Sequence, residues 1–92
     1  MNAIEKQIDS IAGYIKLQLD GKKDEGIKID EEVIFGVVED AVIAFHLFTQ
    51  KTTPFLVEEI VTKYKETGIL TKEDIDHLIT KIAKKELPNY YI

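Results

Sequence analysis

Isoleucines mark the first stretch of the chain. Ile4, Ile8, Ile11 and Ile15 step by four, three and four residues, which lines them up on one stripe of a helix. The spacing predicts a helix over about 3–19, weakened slightly by Gly13 and ended by the polar cluster Asp20–Gly21–Lys22–Lys23. A second helix is expected over 31–50, capped by Asp30, with Glu31 and Glu32 at the positive end of its dipole. Its apolar positions do not form a stripe. Val33, Phe35, Val38, Val42, Phe45 and Phe48 are among residues that cover most of its circumference, leaving a narrow polar strip through Glu32, Gly36, Glu39, Asp40, His46 and Gln50. A helix apolar nearly all round must be enclosed by neighbours. Three short companions are expected to fall short of that, so part of this surface should be either the centre of a tight bundle or a contact with another chain.

"TTPF" restarts the chain, with Thr53 as cap and Pro54 at the first helical position, where its missing N–H is no loss. The third helix, 54–67, turns Val57, Ile60, Val61 and Tyr64 inward and stops at Gly68. "LTKED" opens the fourth, 72–86, where Thr71 and Asp74 have the spacing of a capping box. Ile75, Leu78, Ile79 and Ile82 are its stripe, Pro88 ends it, and residues 87–92, "LPNYYI", form a short apolar tail. The pattern therefore predicts a single all-α domain, a small four-helix bundle that could pair as a two-fold dimer.

Composition narrows the function. The chain has 92 residues, room for one modest core, and a formal net charge of −5, the wrong sign for covering phosphates. It has no cysteine, which removes disulfides and thiolate metal sites. Glu5 and Asp9 interrupt the apolar run that a signal peptide needs. The longest stretch without a formal charge, 41–50, is about half of the roughly 20 residues a membrane span requires. A cytoplasmic protein without a membrane segment is the expectation.

Candidate chemistry is sparse. In "DGKKDEGIKIDE", Asp20, Asp24 and Glu31 take the first, fifth and twelfth places of a calcium-loop window, but Lys22 stands at the third and Glu25 at the sixth, where a ligand and a glycine belong. Around "YKETGILTKED", Gly68, Leu70 and Asp74 fit the exit half of such a loop, while Lys63, Lys65 and Thr67 occupy its earlier ligand places. The two loops together are similar to EF-hands that have lost calcium, which implies helices splayed about them. No cofactor or metal is expected, and Asp20, Asp24 and Glu31 are the candidate ligands should one be held. His46 has Glu39 on the same polar strip and His77 has Glu73 one turn away, with no H-x-x-x-H or H-E-x-x-H spacing, short of a zinc set. "HLFTQK" lacks the lysine three residues on and the glycine four residues on that usually follow a phosphate-accepting histidine. There is one serine, Ser10, inside the first helix, and no G-x-S-x-G, so a nucleophile with its base is not assembled and enzyme activity is not expected.

The last two helices can be drawn as a helix–turn–helix. The recognition helix would then present Glu73, Asp74 and Asp76 to DNA, and the chain holds no arginine to read guanine. Nucleic acid is therefore a poor match. The expected function is a non-catalytic helical interaction module: a small regulator, inhibitor, immunity factor or assembly subunit, similar in class to bacterial immunity and phage accessory proteins. Phe35, Val38, Val42, Phe45 and Phe48 on the second helix, with Tyr90 and Tyr91 of the tail, are the candidate contacts to a protein partner or to a second copy. The alternatives are the calcium-less EF-like pair and the helix–turn–helix regulator.

Overall fold

The computed structural model describes residues 3–46 and 48–86, and places in them four α-helices: α1 (Ala3–Asp24), α2 (Glu31–Phe45), α3 (Thr53–Thr67) and α4 (Lys72–Glu86). Each packs against its sequence neighbours, and α1 closes the ring on α4. The chain reverses at every connection. Gln7 near the start of α1 donates from Nε2 to the carbonyl of Phe45 at the end of α2, 2.6 Å away. Lys81 of α4 meets Glu59 of α3 at 3.3 Å, as two antiparallel rods joined near Gly68 require. The result is an up-down-up-down four-helix bundle, as the hydrophobic pattern predicts.

The predicted inner stripes form the core. Ile8, Ile11 and Ile15 of α1, Ile60 of α3 and Ile75 and Ile79 of α4 are buried, joined by Ile34, Val38 and Leu56. Each such side chain contributes about 1.5–3 kcal/mol when withdrawn from water. Ile4, Val61, Tyr64 and Leu78 are half-buried at the edge of the cluster. Helix α4 keeps the predicted box at its start: Thr71 Oγ1 accepts from the Asp74 N–H, and Asp74 Oδ2 accepts from the Thr71 N–H, both at 3.1 Å.

Two helix ends depart from the expectation. Helix α1 does not stop at Leu19 but runs through Gly21 to Asp24. Its stop is Gly26, at φ 82°, where Ile27 N–H reaches the Lys22 carbonyl and Gly26 N–H the Lys23 carbonyl, each at 3.0 Å. That pair of bonds is a Schellman cap, and it needs a residue able to take a left-handed conformation. Helix α2 ends at Phe45 rather than Gln50, because His46 turns left-handed at φ 54° and its N–H closes on the Val42 carbonyl at 3.0 Å. The α2–α3 connection then sends Phe48 back into the core. Thr52, not Thr53, holds the cap position of α3, without a side-chain cap bond.

Candidate functional site

The polar window at the first connection begins as helix rather than loop. Asp20 and Asp24 stand on α1 itself, and Asp20 is engaged with Lys16 at 2.9 Å, one helical turn away. Helix occupies the first five places of the window, so Asp20, Asp24 and Glu31 cannot wrap one ion as a loop does. Among the described residues no three histidine, aspartate or glutamate side chains converge in a metal-holding group. The exit half of the second window is used as a helix cap: the Thr71 backbone N–H first, and its hydroxyl second, hold the Asp74 carboxyl below the usual carboxylate value. Beside it Lys72 reaches across to Asp9, whose hydrogen bond raises the ammonium above its ordinary value. Helices α3 and α4 run antiparallel, with Lys81 meeting Glu59 across them.

The apolar candidates of α2 divide. Val38 is 0% exposed, and Val42 and Phe48 are buried with it, so these three belong to the protomer's own core and are corrected from contact residues to packing residues. Phe45 is half-buried, its ring meeting Tyr14 of α1 edge to face with centroids 5.7 Å apart. Phe35 remains on the surface at 40% exposure. Ile43, eight residues further along α2, is 49% exposed and was not singled out by the sequence pattern. Tyr90 and Tyr91 lie outside the described residues, as does Leu47.

Phe35 opens onto a groove of about 430 Å³ between α2 and α3. Val57, Val61 and Pro54 supply its apolar lining from α3, while Glu31 stands on the α2 wall and Glu58, Thr62 and Lys65 on the α3 wall. Antiparallel pairing puts the start of α2 opposite the end of α3, which brings Glu31 and Lys65 to one end. Glu32 and Glu39 sit three residues before and four after Phe35, and so flank it on the helix surface. A second depression, about 320 Å³, lies where α2 gives way to the connection, between Ile43, His46 and Thr49. Leu17, Ile27, Phe55 and Ile69 are exposed elsewhere, and Ile69 borders a smaller depression of about 70 Å³ with Leu19, Ile29, Tyr64 and Leu70. On α2, Phe35 and Ile43 each border one of these depressions.

Comparisons with protein-family models, curated proteins and solved structures return no match. Among the described residues no helix is long and apolar enough to cross a membrane.

Proposed function

We propose that this protein is a non-catalytic helical module that docks another polypeptide on the α2–α3 face. The observation that carries the reading is Phe35, half open to solvent over a groove floored by Val57 and Val61. A phenylalanine held at the mouth of an apolar groove offers a rigid contact with little rotamer entropy left to lose. Ile43 extends the contact along α2 beyond the groove. The rim carboxylates and Lys65 give such a contact its polar border.

The test is differential capture. Tagged wild type and the double variant Phe35→Ser/Ile43→Ser are passed over an extract of the native host at equal concentration. The wild type retains at least one protein that the variant loses, while both give the same helical circular dichroism. An identical set of retained proteins from two equally folded baits overturns the proposal.

A further inference from the structure

The charges around Phe35 specify a partner class, and this step rests on the docking surface just proposed. The groove lining holds Glu31 of α2 and Glu58 and Lys65 of α3, and Glu32 and Glu39 lie beside Phe35 on the surface of α2. The five groups sum to a formal charge of −3, of which the groove lining itself carries −1. The ion pairs of the described residues, Lys16–Asp20, Lys72–Asp9 and Lys81–Glu59, use none of these five groups. The helix dipole explains why acids sit at Glu31 and Glu32, in the first turn of α2, but Glu39 lies in its middle, where no dipole favours it.

A second copy fits this face badly. Two-fold pairing would set each ring of four carboxylates against its own duplicate, and like charges across an interface oppose binding. A cationic surface with an apolar strip fits it well: the strip fills the floor between Phe35, Val57 and Val61, and the basic flanks meet the rim. Along α3 the groove runs from Pro54 to Lys65, roughly 17 Å at 1.5 Å per residue, or about three turns of a bound helix. We infer that the α2–α3 groove receives a lysine- or arginine-rich amphipathic helix of another protein, apolar face inward, in the helix-in-groove manner.

The probe is a synthetic amphipathic Leu/Lys peptide of about 18 residues, titrated into the ¹⁵N-labelled full chain. Two controls accompany it: a Leu/Glu peptide with the same apolar face, and a scrambled Leu/Lys peptide with the same charge and no face. The Leu/Lys peptide binds saturably and moves the amide signals of Phe35, Val57, Val61 and Lys65. The Leu/Glu peptide does not bind, and the scrambled one binds more weakly. Glu31→Gln/Glu58→Gln weakens binding about tenfold, and Glu73→Gln/Glu86→Gln, which removes the same charge from α4, diagonally across the ring from α2, changes it less than about threefold. Added salt weakens it further. Equal binding of the Leu/Glu peptide, signals moving only away from the groove, no saturable binding, or equal effects of the two neutralised pairs overturns the inference. So does a dimer in sedimentation that Phe35→Ser dissolves. A partner captured through Phe35 and Ile43 while the peptide fails to bind leaves the docking surface standing and removes only its cationic occupant.

Discussion

Helices α2 and α4 are each 15 residues long and stand in the same ring, yet they meet solvent differently. Every position α4 exposes is charged or histidine: Glu73, His77, Lys81, Lys84, Lys85 and Glu86. Its buried positions, Ile75, Ile79, Ile82 and Ala83, account for its core contribution. Helix α2 buries Ile34, Val37, Val38, Ala41 and Val42, and then exposes Phe35, Ile43 and Ala44 besides. The second set adds nothing that the bundle needs to close. Packing accounts for all of the apolar residues of α4, while on α2 Phe35, Ile43 and Ala44 remain outside the core.

That contrast can be broken first at the core, where the effects are largest. Ile34→Ala on α2 and Ile79→Ala on α4, both fully enclosed, should each lower unfolding stability by about 2–5 kcal/mol in urea titrations. A much smaller loss at Ile34 would mean that α2 is loosely held on its inner side too. Next come the caps. The Asp30 side chain accepts the Val33 N–H at 2.9 Å, and the Thr71 hydroxyl accepts that of Asp74. Asp30→Ala and Thr71→Ala should cost about 1 kcal/mol apiece by the same measurement. On the outer faces the changes shrink. Ile43→Ser and Lys81→Ser should each cost less than about 1 kcal/mol, and if Ile43→Ser costs as much as the core changes, its side chain is structural and not available to a partner.

The smallest effect is in acid. The Asp74 carboxyl is held below its ordinary value of 3.8 by the Thr71 cap. Its contribution is therefore complete above the unfolded value and fades as pH falls through the folded one. Asp74→Asn should separate from wild type in thermal melts at neutral pH, and the two curves should converge as the pH drops below about 4. A constant separation across that range would mean that the carboxylate charge adds nothing to the cap.

How much of this the sequence discloses follows from how its signals work. Helix α4 was legible because a clean stripe and a capping box agree on its phase and start. The end of α1 was not, because glycine at 21 reads as a stop while Gly26, after the basic pair Lys22–Lys23, is where the left-handed cap forms. The end of α2 carried no glycine or proline, and a histidine at φ 54° leaves no mark in composition. For the site, a helix apolar nearly all round has no readable phase, so Val38 and Val42 looked as available as Phe35. Ile43 was hidden for the same reason. The α3 half of the groove, Val57, Val61, Glu58 and Lys65, depends on which helices become neighbours, and residue spacing within one helix does not encode that.

The docking claim is tested most directly by a photoreactive phenylalanine analogue placed at position 35 and, in a second protein, at position 77 on α4, both irradiated in the native host. The account predicts a discrete higher-mass adduct with another polypeptide from position 35 and none from position 77. Adducts of equal yield from both positions, or none from position 35 in a folded protein, would contradict it.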